Sequence, residues 1–240
     1  MKACCNLVLY IFLFGLNTSH LVCSQAQKGL IITAVGLPGS GKSSAMKELA
    51  ELIDGSCFCE PEGKDWTDAA TLRHISGSFT MITWFRSLRV PMLYRASQLR
   101  AVGEIAITDR YYDKLLAYYI GKPGMEWLIN PSDPYYDIMV AIAKKDWEQL
   151  PTADVIVFFE VSYDLWKNFL TKRDRLQDAN PRLLESFSTQ ELFFNACKKL
   201  ADEKNVILIT IKQEWSSPRA TAEKIRDILY AKGIVQPHKP

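Results

Sequence analysis

Residues 36–43 of this 240-residue chain read Gly36-Leu37-Pro38-Gly39-Ser40-Gly41-Lys42-Ser43, a complete match to the pattern G-x-x-x-x-G-K-[ST]. The apolar run Leu30–Val35 precedes the motif and predicts a buried strand, and good helix formers follow it from Ser44 to Ile53. A strand, a glycine-rich loop and a helix in this order direct backbone N–H groups and the positive end of the helix at one anion. The stretch therefore predicts a phosphate-binding loop that holds a nucleoside triphosphate.

Residues of this loop have separate predicted roles. Lys42 would reach the β- and γ-phosphates, and the Ser43 hydroxyl would ligate Mg²⁺. The glycines let the backbone approach the phosphates where a Cβ would intrude. ATP and Mg²⁺ are the expected cofactors, and the predicted nucleotide-binding residues are Gly36, Gly39, Ser40, Gly41, Lys42, Ser43 and Ser44.

Composition is that of a globular protein, with 48% hydrophobic and 23% charged residues. The net charge of +2 gives no reason to expect a nucleic-acid partner. Six cysteines and three histidines lack the spacing of a zinc site. Cys57, Cys59 and Cys197 are interpreted as small buried apolar residues.

The first 27 residues form a separate N-terminal segment. Lys2 precedes an apolar run, Leu7–Leu16, which is followed by polar residues. This layout is typical of a secretory signal, and the run is shorter than the about 20 apolar residues that span a bilayer. An over-extended start codon and a peripheral anchor are the alternatives. The folded domain is expected over residues 28–240. It is expected to be cytoplasmic if the start is over-extended and otherwise secreted or membrane-associated, with membrane contact only through residues 1–27.

Strands and helices alternate through the domain. This order predicts an α/β fold, a five-stranded parallel sheet with helices on both faces, as in P-loop NTPases. A loop is expected at Gly121–Pro134, with Ser132 and Asp133 capping a helix that runs to Leu150. Pro91 is placed in the first turn of a helix. The predicted strands are Leu30–Val35, Ser56–Cys59, Glu104–Thr108, Val155–Phe159 and Val206–Ile211; the other predicted helices are Asp68–Ser76, Phe79–Arg89, Pro91–Val102, Asp164–Lys172, Thr189–Glu203 and Arg219–Ala231.

Ligands of such sheets gather beyond the carboxyl ends of the strands. Asp109 ends the third predicted strand and is the expected acid for the Mg²⁺ water shell, and Glu160 is the second choice. Arg110 can neutralise phosphate charge. Arg173 and Arg175, near the end of a helix, are expected to belong to a lid over the phosphates, the alternative being a solvated helix end.

Two further stretches resemble known kinases. Asp109-Arg110-Tyr111-Tyr112-Asp113-Lys114-Leu115-Leu116-Ala117-Tyr118-Tyr119 resembles the D-R-Y-x-x-S-x-x-A-Y-Q stretch of thymidylate kinases. Glu60-Pro61-Glu62-Gly63 is similar to their R-E-P-G-G segment and to the E-P-x-x-x-W segment of deoxynucleoside kinases, with Trp66 one residue further along. Both families carry a lid like Arg173-x-Arg175. The resemblance spans residues 29–233 and implies ATP-dependent phosphorylation of a nucleoside or its 5′-monophosphate.

A monophosphate acceptor is the favoured expectation. The implied catalytic residues are Lys42, Glu60, Arg110, Arg173 and Arg175. The alternatives are a deoxynucleoside kinase with Glu60 as base for a 5′-hydroxyl, and a nucleotide-binding module without turnover. Arg95, Gln98 and Tyr111 are the expected acceptor-binding residues. A small-molecule acceptor is the expected partner, and the sequence leaves a homodimer open.

Overall fold

The computed structural model describes residues 28–61, 66–173 and 184–237. The predictions for residues 1–27, for Glu62 and Gly63, and for Arg175 lie outside the described residues.

Five parallel strands form one sheet in the order β2-β3-β1-β4-β5. The central strand pairs with two neighbours, so that Ile32 lies opposite both Ile107 and Val155. Each predicted strand agrees with the observed one to within one residue at each end, and the predicted fold class is confirmed. The strands are β1 Leu30–Gly36, β2 Ser56–Phe58, β3 Ile105–Asp109, β4 Val155–Glu160 and β5 Ile207–Lys212.

Helices cover both faces of the sheet because β1 alternates between two apolar layers. Ile31 and Val35 pack into one core, and Ile32 and Ala34 pack into the other. The second core includes residues of the first and last helices. The helices are α1 Lys42–Leu52, α2 Asp68–Thr71, α3 Arg73–Ala101, α4 Tyr112–Tyr119, α5 Tyr136–Gln149, α6 Tyr163–Arg173, α7 Thr189–Lys204 and α8 Pro218–Ala231. None of the described helices combines the length and apolar character that crossing a membrane requires.

Helix α3 differs from the prediction. Pro91 lies inside this helix instead of opening a new one, and the break falls at Gly77, which has a φ of 82°. Pro91 itself is exposed, whereas Leu93 and Ala96 beyond it are buried and hold the helix against the core. Burial of the later turns therefore outweighs the hydrogen bond that proline removes.

Two smaller differences concern the segment that follows β3. Helix α4 was not predicted; it buries Leu115 and Leu116. Helix α5 begins at Tyr136, and Asp133 accepts a hydrogen bond from the Tyr135 backbone N–H in the turn before it (2.9 Å). Asp133 thus stabilises the approach to the helix and is not its cap.

Candidate functional site

A cavity of about 680 Å³ lies beyond the carboxyl ends of β1, β2 and β3. Its walls come from the glycine-rich loop, the ends of β2 and β3, the last turn of α6 and the segment between β5 and α8. Five cationic and two anionic side chains of the described residues line it: Lys42, Lys47, Arg110, Lys172 and Arg173, with Glu60 and Asp109. This excess of positive charge suits a polyanionic ligand.

The glycine-rich loop needs glycine where other parts of the chain approach it. At Gly36, with a φ of 149°, a Cβ would lie 2.7 Å from the Phe159 carbonyl oxygen. At Gly39, with a φ of 79°, a Cβ would lie 2.6 Å from Leu170 Cδ2. Of the predicted nucleotide-binding residues, Gly39, Gly41, Lys42, Ser43 and Ser44 line the cavity, whereas Gly36 and the buried Ser40 lie in the loop behind it.

Two side chains from other elements hold this loop in place. Trp166 of α6 is fully buried, and its Nε1 donates to the Pro38 carbonyl oxygen (2.7 Å). Gln213, directly after β5, donates from Nε2 to the Ser40 carbonyl oxygen (2.8 Å). A preformed loop avoids the ordering cost that a mobile one would add to binding.

Lys42 is folded back onto its own loop. Its Nζ donates to the carbonyl oxygens of Gly36 (3.0 Å) and Leu37 (2.6 Å) and to Ser40 Oγ (3.3 Å). Burial, followed by the positive charge of Arg110, lowers the pKa of Lys42 from 10.5 to about 7. An incoming phosphate would replace these neutral acceptors with an anion and favour the charged lysine.

Glu60 belongs to a buried chain of ion pairs. Its Oε1 lies 2.8 Å from Arg89 Nη1, and its Oε2 lies 3.2 Å from Arg110 Nε. Arg89 also forms a two-point contact with Asp113, at 2.7 Å and 3.1 Å. Burial alone would raise the pKa of Glu60, but the charges of Arg110 and Arg89 outweigh it, so the pKa is lowered. Glu60 is therefore ionised and fixed at the cavity wall.

Arg110 forms an ion pair with Glu60 but, unlike Arg89, no hydrogen bond to it. Its Nε is within ion-pair distance of Glu60, yet the angle is poor and this buried N–H has no hydrogen-bond acceptor. The residue also has a φ of 84°, a conformation that costs energy for a residue with a side chain. Such strain is common at functional sites. The geometry leaves the Arg110 donors able to turn toward a ligand in the cavity.

Asp109 and Ser43 fit the predicted magnesium site. Asp109 is buried, and its Oδ1 has no hydrogen-bond partner although it lines the cavity with Ser43. No group of three or more His, Cys, Asp or Glu among the described residues could hold a metal by itself. The metal would take its remaining ligands from phosphate and water, as Mg²⁺ commonly does. The alternative acid, Glu160, ends β4 without lining this cavity.

The end of α6 reaches the loop. The Arg173 guanidinium carbon lies 3.4 Å from the point where a Gly39 Cβ would be, so its charge lies beside the phosphate-binding loop. Beside it, Lys172 Nζ lies 3.9 Å from the centre of the Trp215 ring, and Trp215 stacks on Phe169 (5.9 Å, 24°). These aromatic side chains supply a flat apolar surface at the rim of the cavity.

The structure does not bring Arg95 and Gln98 to this cavity. They lie on an exposed face of α3 and bond to each other, Arg95 Nη1 to Gln98 Oε1, at 3.3 Å. The hydroxyl of the buried Tyr111 donates to the Pro151 carbonyl oxygen (3.0 Å) and accepts from the Ala153 N–H (2.7 Å). The acceptor-binding roles expected for these residues therefore find no support in their positions.

Sequence reasoning missed Arg89, Gln213, Trp215 and Phe169. Arg89 and Phe169 lie within helices, where the sequence gives no sign of the residue they will meet. Gln213 and Trp215 directly follow β5, so the rule applied to Asp109 could have identified them.

Comparison with known proteins agrees with the fold. No protein-family model matches the chain, and no curated protein matches its sequence. Thymidylate kinase from Candida albicans superposes with a TM-score of 0.60 at 16% identity, covering 86% of this chain and 93% of that one. Deoxyadenosine kinase from M. mycoides with bound dATP gives 0.62 at 18% identity, covering 83% and 98%. The same enzyme with products dCMP and dCDP bound gives 0.61 at 16%, covering 84% and 100%. The chain therefore has a P-loop kinase fold of the thymidylate kinase and deoxynucleoside kinase type.

Proposed function

We propose that this protein is an ATP-dependent phosphotransferase that moves the γ-phosphate of ATP to a nucleoside 5′-monophosphate. The observation that carries the proposal is the convergence, at one cavity, of the glycine-rich loop with Lys42, Ser43, Asp109, Arg110 and Arg173. The loop N–H groups and Lys42 would hold the β- and γ-phosphates. Arg173 would offset charge on the transferring group, which catalysis of phosphoryl transfer requires.

Ser43 and Asp109 would hold a magnesium ion, whose charge would offset part of the negative charge of the phosphates. The chain's own contribution is to fix these two oxygen donors at adjacent walls. The unpartnered Asp109 Oδ1 supports this role, since a buried carboxylate oxygen without a partner costs stability unless a ligand satisfies it.

The charge of the cavity supports a monophosphate acceptor. Five cationic side chains against two anionic ones can accommodate two phosphorylated molecules whose mutual repulsion must be offset. Arg110 has an unsatisfied donor and lies where the β3 end meets the cavity. It is the residue we assign to the acceptor phosphate.

A free nucleoside is the second candidate, and one observation favours it. Glu60 is an ionised carboxylate at the cavity wall, and a 5′-hydroxyl needs a base that takes its proton as the new bond forms. Its two arginine partners stabilise the ionised form and so make it a weak base, which is why we rank this acceptor second.

The test is a screen of the full-length protein with Mg²⁺ and labelled ATP against nucleosides and their 5′-monophosphates. The proposal requires acceptor-dependent release of ADP together with a phosphorylated acceptor. Transfer to nucleosides alone would show that the acceptor is a free nucleoside, the second candidate. Binding of ATP without any transfer would point to a nucleotide-binding module.

A further inference from the structure

Two cysteines at the end of β2 lie in contact beside the cavity. Cys57 is the middle residue of this three-residue strand, and Cys59 follows the strand directly. Their Sγ atoms are 3.4 Å apart, which is a non-bonded contact between two free thiols. Both residues are half-buried, and Cys59 lines the same cavity as Glu60. A small oxidant that enters the cavity can therefore reach the pair.

We propose that Cys57 and Cys59 form a redox-active dithiol, oxidised by a hydroperoxide to a disulfide that displaces Glu60 and switches the site off. This inference goes beyond the proposed function and uses that activity as one of its two readouts.

The chemistry balances with hydrogen peroxide as the oxidant. Cys59 Sγ attacks one peroxide oxygen, the O–O bond breaks, and one water leaves with the thiol proton, giving a sulfenic acid. Cys57 Sγ then attacks the Cys59 sulfur, the S–O bond breaks, and a second water leaves. The two thiols lose two electrons, and the peroxide gains them.

Cys59 is the first nucleophile because it lines the cavity, whereas Cys57 does not. The hydrogen bond between the two thiols lowers the pKa of Cys59, and the nearby Lys47 acts in the same direction. Burial and the negative charges of Asp109 and Glu60 oppose this shift. The thiolate is the form that reacts with peroxide.

Disulfide formation would draw together the backbone next to Glu60. Residues two apart in an extended strand have Cα atoms about 6.6–6.8 Å apart, at the long end of the 4.4–6.8 Å that a disulfide spans, with most near 5.5–6 Å. Closing the bond at the commonest separation would shorten the chain around Phe58. Strand β2 is short and lies at the sheet edge, where it pairs only with β3, so it can yield.

The displacement would reach the site directly because Glu60 is the next residue. Its carboxylate keeps both ion pairs, to Arg89 and Arg110, only while the end of β2 holds its position. Misplacing a positioning group by about 1 Å can cost on the order of 10²-fold in rate. Oxidation of the pair would therefore lower the rate of phosphoryl transfer without changing the glycine-rich loop.

The experiment treats the full-length protein with hydrogen peroxide and follows two readouts, phosphoryl transfer and the mass of the tryptic peptide 48–64. This peptide contains Cys57 and Cys59 and no other cysteine. We expect the peptide to become two hydrogens lighter while turnover falls by about 10²-fold, with dithiothreitol restoring both. A Cys57→Ser variant should start with full activity and lose the reversible inactivation. Cys197→Ala, which removes a buried cysteine far along the chain, should behave as the parent.

A peptide that stays reduced, or that gains oxygen without losing hydrogens, would overturn the proposal. So would a disulfide that leaves turnover unchanged, or a Cys57→Ser variant that is inactivated and rescued as the parent is. The peptide mass is independent of enzymatic activity, so a protein without phosphoryl transfer that still forms the disulfide would refute the proposed function and not the dithiol.

Discussion

Lys42 donates its shortest hydrogen bond, 2.6 Å, to the carbonyl oxygen of Leu37, a residue of the same glycine-rich loop. The lysine that should reach the phosphates thus donates its hydrogen bonds to neutral oxygens of the protein. Burial and the charge of Arg110 lower its pKa to about 7. Phosphate binding has to take the side chain from these carbonyls, and this exchange has consequences that can be measured.

Nucleotide binding should be coupled to proton uptake. Above pH 7 most Lys42 side chains are neutral in the free protein, whereas a bound phosphate favours the charged form and raises its pKa. At pH 8 we expect ATP to bind with uptake of nearly one proton. Calorimetry in two buffers of different ionisation enthalpy measures this uptake, and Lys42→Met is the control that should lose it. Equal apparent enthalpies in both buffers would contradict the assignment.

The same lysine should shape the stability of the unliganded protein. The folded pKa of about 7 lies below the ordinary 10.5, so between these values the unfolded chain binds more protons and the free energy of unfolding rises with pH. The slope is at most about 1.4 kcal/mol per pH unit. Lys42→Met should flatten it. Urea titrations of the parent and the variant at pH 7.5 and pH 9 measure how much the slope changes. Lys114, a second lysine with a lowered pKa, contributes equally to both proteins, so its contribution cancels in the difference between them.

Arg173 should affect turnover more than stability. Its guanidinium lies beside Gly39, so Arg173→Ala should remove transition-state charge stabilisation and lower kcat by about 10²–10³-fold. Lys167→Ala, an exposed lysine of the same helix, is the matched control and should leave kcat unchanged. Thermal melting of both variants checks the fold. An Arg173 variant with normal kcat would favour a solvated helix end.

The acceptor can be identified from two variants. If the acceptor is a monophosphate, Arg110→Ala should raise its KM steeply, and Glu60→Gln should lower kcat moderately without changing the acid limb of the pH profile. If it is a nucleoside, Glu60→Gln should cost about 10²–10⁴-fold and remove that limb. Because Arg95 lies outside the cavity, Arg95→Ala should leave the acceptor KM unchanged. A large Glu60 effect with a small Arg110 effect would overturn the monophosphate assignment.

The sequence predicts the sheet well because its three central strands, β3, β1 and β4, are short, buried and largely apolar. β1 and β4 read as continuous hydrophobic runs, which is typical of parallel strands between two layers of helices. Asp109, which ends β3, and Glu60, two residues after β2, could be placed because parallel strands share one carboxyl edge.

The part of the site that the sequence could not predict depends on contacts between helices that are separate in the sequence. Pairing of Arg89 with Asp113 joins residues 24 apart that no local pattern connects. Arg95 and Gln98 share a helical face, as their spacing indicates, but that face is turned to solvent. Spacing reports which side chains point the same way, and packing decides what they point at.

The most direct test of the account is transfer of the γ-phosphate itself. Full-length protein is incubated with Mg²⁺ and γ-labelled ATP and with each 5′-monophosphate in turn, beside Lys42→Ala as a variant that lacks the loop cation. The account requires label to appear in a nucleoside diphosphate with the parent protein, and a loss of about 10²–10³-fold or more in the variant. Label that reaches only water or remains on ATP with every acceptor, or a Lys42→Ala variant as active as the parent, would contradict it.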